Sequence, residues 1–311
     1  MAETYVVTGG AGFIGSNIVE RLLKDGHQVR VVDNLMTGTL DNLAHLSGYE
    51  LHQVSITDKA ALDAAFAGAD YVLHQAALPS VPRSVENPLE THEICVTGTL
   101  NVLLAARDAG VKRVVYAASS SAYGDTIERY KTETLAPNPL SPYGVAKLAG
   151  EYYCRSFTEV YGLETVCLRY FNVFGPRQDP TSRYAAVIPL FITSMIDGQR
   201  PTIYGDGLQS RDFTFIDNVV HGNLLAATAP DAAGQVMNLA TGSSISLLDL
   251  AQKLNTMLHT DLQPIHAPER AGDIKHSQAD ISLARQLLAY EPVVDFEAGL
   301  AQTVNWYLSK S

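Results

Sequence analysis

Apolar residues along the chain follow two alternating rhythms. Tyr5-Val6-Val7 is an unbroken apolar run bounded by Thr8 and Gly9, and it reads as a buried strand. Ile14, Ile18 and Leu22 then recur four apart, which is one face of a helix, and Gly26 marks its end. The same two rhythms repeat. Gln28 to Val32, Leu51 to Val54, Asp70 to His74, Val111 to Ala118 and Glu164 to Tyr170 read as strands. Lys59 to Phe66 and Leu89 to Ala109, closed by Gly110, read as helices. Pro137, Pro139 and Pro142 break the chain before a further helix that runs to about Tyr161 and ends at Gly162. Strands alternating with helices predict an α/β fold with a doubly wound parallel sheet, whose ligands lie beyond the carboxyl ends of the strands.

After Asn172 the rhythm changes. Gly175-Pro176-Arg177 and Asp179-Pro180 are loop signals. Helical spacing returns at about 187–197, 217–229 and 246–258, with strand-like pieces at 200–204, 212–215 and 236–239. This predicts a sheet domain over 1–172 and a smaller mixed α/β C-terminal substrate domain over 173–311, with later segments crossing back to the first.

Composition narrows the function. The chain has 311 residues, 46% hydrophobic and 18% charged, which suits a large folded core. Its net charge of −11 argues against nucleic acid or an anionic membrane as partner. A bound anion must then be held by local donors. Cys95, Cys154 and Cys167 are widely spaced and lack a metal-like pattern, so they read as reduced thiols of a cytoplasmic protein without a metal site. No signal peptide opens the chain, and no apolar run reaches the ~20 residues of a membrane span.

The candidate chemistry starts at Gly9-Gly10-Ala11-Gly12-Phe13-Ile14-Gly15, between the first strand and the first helix. Strand, glycine turn and helix form the context of a dinucleotide site. The glycines let backbone approach a pyrophosphate, and the helix N-terminus supplies amide donors. Gly9, Gly12 and Gly15 are three apart, so two residues separate the first pair where the commoner pattern has one. Asp33, at the end of the second strand, lies 18 residues past Gly15 (33 minus 15). A carboxylate there suits an adenosine ribose and would repel a 2′-phosphate, which favours NAD over NADP. Tyr143 and Lys147 are four apart, one helical turn, on the same face. A tyrosine acting as a base near neutral pH needs its pKa lowered from about 10, and an adjacent ammonium does this. A strand delivers Ser119-Ser120-Ser121 at its C-terminal end. Each feature alone suits an ordinary turn or solvated helix face; their order along the chain gives them weight together.

GGAGFIG at 9–15, DNLMTG at 33–38, SSSAYG at 119–124, YGVAK at 143–147, RYFNVFGP at 169–176, YGDGLQSRDF at 204–213 and ERAGD at 269–273 run nearly end to end. On these motifs the chain resembles the extended short-chain dehydrogenase/reductases with a Rossmann-type sheet. Within them it resembles the UDP-glucose 4-epimerase group, in its UDP-N-acetylhexosamine branch. The resemblance implies NAD-dependent inversion at C4 of a UDP-hexose, N-acetylated ones included (UDP-GlcNAc/UDP-GalNAc and UDP-Glc/UDP-Gal). Tyr143 would take the O4 proton while hydride passes to NAD, the flat 4-keto sugar would turn over, and hydride would return to the other face. Lys147 would hold the nicotinamide ribose and lower the phenol pKa; Ser119 would relay the proton, beside Ser120. NAD would stay bound as a prosthetic group. It would be contacted by Gly9, Gly12, Phe13, Ile14, Gly15, Asp33, Asn34, Thr37, Gly38, Ser55, Ile56, Gln75, Ala76, Ala77, Tyr143, Lys147 and Phe171.

On the substrate side the resemblance implies Ser84, Ser119, Asn172, Val187, Tyr204, Arg211, Arg270, Asp273 and Ser277. Asn172, Arg211, Arg270 and Asp273 would hold the UDP part, where two arginines suit a pyrophosphate and an aspartate suits ribose hydroxyls. Tyr204 would lie on the uracil. Ser277 falls where a bulky residue would exclude an N-acetyl group, so its small side chain leaves room. Two positions depart from the pattern: Ser55 stands in place of an Asp, and Cys95 in place of an Asn. Both imply looser NAD retention. A homodimer is implied, its subunits packing through helices at about 89–109 and 143–161. The rival readings are a UDP-glucuronate decarboxylase/4-epimerase or another enzyme modifying nucleotide sugars, and a non-catalytic NAD-binding regulator. Dehydration is disfavoured because Ser120 and Ser121 replace the acidic pair it needs.

Overall fold

A computed structural model describes residues 2–126, 128–181, 185–269 and 275–310. Seven parallel strands build the main sheet: β1 (Thr4–Thr8), β2 (Gln28–Val32), β3 (Tyr49–His52), β4 (Tyr71–His74), β5 (Arg113–Ser119), β6 (Glu164–Tyr170) and β7 (Val236–Leu239). Their order is β7-β6-β5-β4-β1-β2-β3, with a reversal at β1 and β4. The central strands are largely apolar because both faces are covered. Along β1, Tyr5 and Val7 enter one core layer and Val6 the other. Along β5, Val115 and Ala117 face one layer while Val114, Tyr116 and Ala118 face the other. Helices α1 (Phe13–Lys24), α2 (Lys59–Phe66), α3 (Gly98–Asp108), α4 (Pro142–Tyr161) and α5 (Ile216–Thr228) pack around this sheet.

β7 comes from far down the chain and pairs with β6, so the C-terminal half does cross back into the sheet. The remaining strands form small sheets. The largest has four strands, in the order Ile245–Ser246, Ser210–Arg211, His276–Ala279 and Tyr130–Lys131.

Several elements differ from the sequence expectation, each for a local reason. β3 begins two residues early, because Tyr49 to His52 pair in register with Val29 to Val32. The chain then turns, with the Val54 amide donating to the His52 carbonyl at 2.9 Å. The long helix expected over Leu89–Ala109 is three pieces: Pro88–His92, a π-helical turn at Glu93–Thr97, and α3. From the first turn of α3 the Thr99 hydroxyl donates back to the Cys95 carbonyl of that turn at 2.7 Å. The strand expected over 212–215 splits. Ser210–Arg211 joins the four-stranded sheet, and Thr214–Phe215 pairs with Val173–Phe174. The break falls at Asp212, whose carboxylate is turned inward onto backbone amides. Helices Val81–Glu86, Ser282–Leu288 and Phe296–Leu308 had no clear signal in the pattern.

α4 is the element that positions the chemistry. The Ser141 hydroxyl caps it by accepting from the Gly144 amide at 3.1 Å, and Pro142 opens its first turn. Gly150 lets it press on β5, since a Cβ there would lie 2.3 Å from the Tyr116 hydroxyl. Lower down, Glu151 meets Arg169 of β6 in a bidentate pair at 2.9 and 2.7 Å, both side chains 4% exposed. The guanidinium also lies 4.5 Å from the centre of the Tyr123 ring.

Candidate active site

A cleft of about 610 Å³ opens at the carboxyl ends of β1, β2, β4 and β5. That is the volume of a cofactor-sized site, at the position where the strand order reverses. Its floor is the turn from β1 to α1. Gly9 has φ +69°, and a Cβ there would lie 2.7 Å from the Ala76 amide nitrogen. A Cβ on Gly15 would lie 2.1 Å from the Gly9 carbonyl oxygen. The loop is thus stripped of side chains by steric need. Gly12 caps α1 with no side chain, and the first turn carries no acidic residue, so its amide donors face the cleft uncontested. Asp33 stands at the lip, buried, its two oxygens accepting from the amides of Ala11 at 3.0 Å and Leu35 at 2.8 Å. Bare amides for a pyrophosphate and a fixed carboxylate for a ribose diol make the residues present fit NAD.

Of the residues expected at the cofactor, Gly9, Gly12, Phe13, Ile14, Gly15, Asp33, Asn34, Thr37, Ser55, Ile56, Gln75, Ala76, Ala77, Tyr143 and Lys147 line this cleft. Gly38 and Phe171 do not. Gly38 backs the Asp33 carboxylate, where a Cβ would lie 3.0 Å from Oδ2. Phe171 is fully buried under Tyr123, because strand alternation turns it away from the cleft. Its neighbour Tyr170 lines the cleft instead, its hydroxyl within 3.1 Å of Gln75 and 3.0 Å of Asn223. Cys95 is buried behind the cleft, its sulfur accepting from the Leu78 amide at 3.4 Å.

At the inner end stand Tyr143 and Lys147. The Lys147 ammonium donates to the Ala117 carbonyl at 2.7 Å and lies 6.0 Å from the centre of the Tyr143 ring. Burial pushes the Tyr143 phenol above its usual range, and the neighbouring Cys95 adds to this; a hydrogen bond with Ser119 pulls the other way. Burial also lowers Lys147. The expected lowering of the phenol by the lysine is therefore not the balance here: burial outweighs it. The Ser119 hydroxyl donates to Ser121 at 3.1 Å and accepts from the Ser121 amide at the same distance. Ser120 opens the 3-10 turn that follows β5.

A second cavity of about 380 Å³ is lined by Asn172, Val187, Tyr204 and Arg211, all expected at the substrate, together with Gln209, Ser194 and Leu247. Ser277 lies in register opposite Arg211 but is buried and lines neither cavity. Ser84 is fully buried, its hydroxyl spent on the Val81 carbonyl at 2.6 Å within its own helical turn; Ser80 lines the first cleft instead. Arg270 and Asp273 lie outside the described residues.

Residues 177–180 and Trp306 also line the first cleft, which sequence reasoning missed. Arg177, with φ +72°, reaches Glu20 of α1 and approaches His45 at 3.2 Å. Burial pushes the Glu20 carboxyl up, but hydrogen bonds from Lys24 and Arg177 hold it at about 2. A segment from beyond the first domain is thereby fastened across the cofactor cleft. A loop arginine in a Gly-Pro-Arg sequence gives no pattern from which such a strap could be read. Among the described residues no cluster of histidine, cysteine or carboxylate side chains is placed to hold a metal, and no helix is long and apolar enough to cross a membrane.

Residues 5–240 match the model of the NAD dependent epimerase/dehydratase family. The chain is 37% identical over 305 residues to a putative UDP-glucose 4-epimerase of Methanocaldococcus jannaschii, covering 97% of each protein. It superposes with a TM-score of 0.95, at 40% identity, on the UDP-N-acetylglucosamine 4-epimerase of Methanobrevibacter ruminantium in complex with UDP-N-acetylmuramic acid, covering 100% of this chain and 99% of that one. The UDP-glucose 4-epimerase of Thermus thermophilus, in complex with NAD, gives a TM-score of 0.90 at 34% identity, covering 99% of this chain and 100% of that one.

Proposed function

The chain belongs to the NAD dependent epimerase/dehydratase family, and on that premise we propose that it is an isomerase inverting C4 of UDP-hexoses, N-acetylated ones included. NAD, when bound, would supply the hydride acceptor and donor for the sugar carbon. The glycine turn and the α1 amides would hold the pyrophosphate, and Asp33 would take the adenosine ribose. Tyr143 accepts the proton of the sugar hydroxyl. Ser119, whose influence pulls the phenol's pKa down and whose hydroxyl is spent on Ser121 in this structure, would turn to steady the same oxygen. Lys147, anchored on the Ala117 carbonyl, keeps its ammonium at the inner end of the cleft. Burial holds the phenol protonated, and the Lys147 ammonium one turn away is the cation placed to favour its ionised form. Asn172, Tyr204 and Arg211 grip the UDP, with Arg270 and Asp273 assigned to the same task from the sequence.

The observation that carries this reading is Tyr143, one helical turn from Lys147, on the wall of the cleft whose floor is the glycine turn. Acceptance of N-acetyl sugars is supported by the similarity to a UDP-N-acetylglucosamine 4-epimerase held with UDP-N-acetylmuramic acid; Ser277, assigned to it from the sequence, is buried beside Arg211 and lines neither cavity. A homodimer is proposed through α4 and the neighbouring Pro88–His92 helix, which expose Val145, Tyr152 and Leu89. Sedimentation at about twice 33.6 kDa would support it.

The test is to incubate the purified protein with UDP-glucose and UDP-N-acetylglucosamine and to follow the C4 epimer by NMR. Tyr143→Phe is the control: turnover is expected to fall at least ~1,000-fold with NAD content and melting temperature unchanged. Epimerisation surviving that change would remove Tyr143 from the chemistry.

A further inference from the structure

Asp212 is fully buried at the break between two short strands. Among the described residues four neutral donors meet its carboxylate. Oδ1 accepts from the Thr241 amide at 3.0 Å and the Thr241 hydroxyl at 2.7 Å. Oδ2 accepts from the Gly242 amide at 3.0 Å and the Ala279 amide at 3.2 Å. Thr241 and Gly242 follow closely on β7, the edge strand of the cofactor sheet. Ala279 ends the strand that carries Ser277.

The backbone of the same residue is equally engaged. Its amide donates to the Ser277 carbonyl at 2.9 Å. Its carbonyl accepts from the Asn172 side-chain amide at 3.1 Å. Its chain neighbour is Arg211, opposite Ser277 in register. One buried residue thus fastens three separate segments, those of Asn172, Arg211 and Ser277, and ties all of them to the end of β7. Asp212 itself lines neither cavity, whereas Asn172, which it holds, and its neighbour Arg211 line the second. A buried carboxylate is costly unless its acceptor capacity is filled, so such a group must fix the loops around it.

We infer that Asp212 is a positioning residue, which sets the UDP-gripping segments at a fixed distance from the cofactor sheet through the Thr241–Gly242 turn. This rests on the assignment of Asn172 and Arg211 to UDP made above. An amide in place of the carboxylate would put an NH₂ group among N–H donors, losing at least one bond and forcing the turn and the strand apart.

The experiment measures UDP binding by calorimetry, bound NAD by absorbance, and turnover for Asp212→Asn, Thr241→Val and Thr241→Ser. Asp212→Asn is expected to weaken UDP binding about ten- to a hundredfold with bound NAD at the wild-type level, since bonds to a charged acceptor are lost. Thr241→Val should weaken it roughly threefold or more, and Thr241→Ser should restore it. If Asp212→Asn does not fold, the two threonine variants decide. Unchanged UDP affinity in Thr241→Val, or loss of NAD in step with loss of UDP, overturns the inference. A wild-type protein that binds UDP yet never epimerises would sink the proposed function and leave this inference to the variants' affinities. A wild-type protein that binds no UDP overturns both.

Discussion

His74 ends β4 with its ring held between two hydroxyls, Thr8 at 2.7 Å and Thr99 at 3.1 Å. Burial, helped by the Lys147 charge, drives its pKa down to about 3. Between about 6.5 and 3 the unfolded chain binds a proton that the native ring refuses. Stability is therefore full above pH 6.5 and falls as pH drops through that window. From pH 6.5 to 5 this one group should cost roughly 2 kcal/mol, and His74→Asn should flatten that slope in urea titrations at the two pH values. Ser277 makes a different kind of prediction. Ser277 is buried in register with Arg211, so a Ser277→Tyr ring would have to push out toward the substrate side; UDP-N-acetylglucosamine turnover should fall at least ~10-fold while UDP-glucose is kept. Equal loss of both sugars in steady-state kinetics would defeat the idea.

At the scale of elements, the distance between α4 and β5 is set by the absence of one side chain. Gly150→Val would drive a methyl-bearing carbon into the Tyr116 hydroxyl, 2.3 Å from the ideal Cβ. The expected cost is roughly 1–3 kcal/mol of stability, with a fall in kcat, because Tyr143 and Lys147 ride on the displaced helix. Melting curves and kinetics together would check it. Contact-driven features like this one are where the sequence is least legible. Apolar runs and helical spacing revealed the strands and helices of the parallel sheet, since doubly covered strands must be apolar throughout. The glycine turn, Asp33, and the Tyr143–Lys147 spacing were legible because each demands particular residues at fixed local intervals. Phe171 and Ser84, expected at the site, are buried and line neither cavity, because side-chain direction depends on strand alternation and on local hydrogen bonding. The π-helical turn at Glu93–Thr97, the Arg177–Glu20 strap and the Asp212 staple depend on partners distant in sequence, and no local pattern encodes them.

For the molecule as a whole, the two halves share more than a cavity. The Arg177 strap crosses from the second half onto α1, and β7 returns to complete the sheet. The stretch over 1–172 is therefore not a separable module. A fragment ending there would leave β6 as a bare edge whose centre, Val166, Cys167 and Leu168, is apolar and buried in the finished protein. It should express as insoluble material, whereas the intact chain should not; fractionation of lysates would show the contrast. The same geometry bears on biosynthesis. Translation completes β6 more than sixty residues before its outer neighbour emerges from the ribosome (236 minus 170). During that interval the nascent polypeptide offers an unprotected template for pairing with other chains, so chaperones that shield such edges should govern how much of the protein reaches its native form.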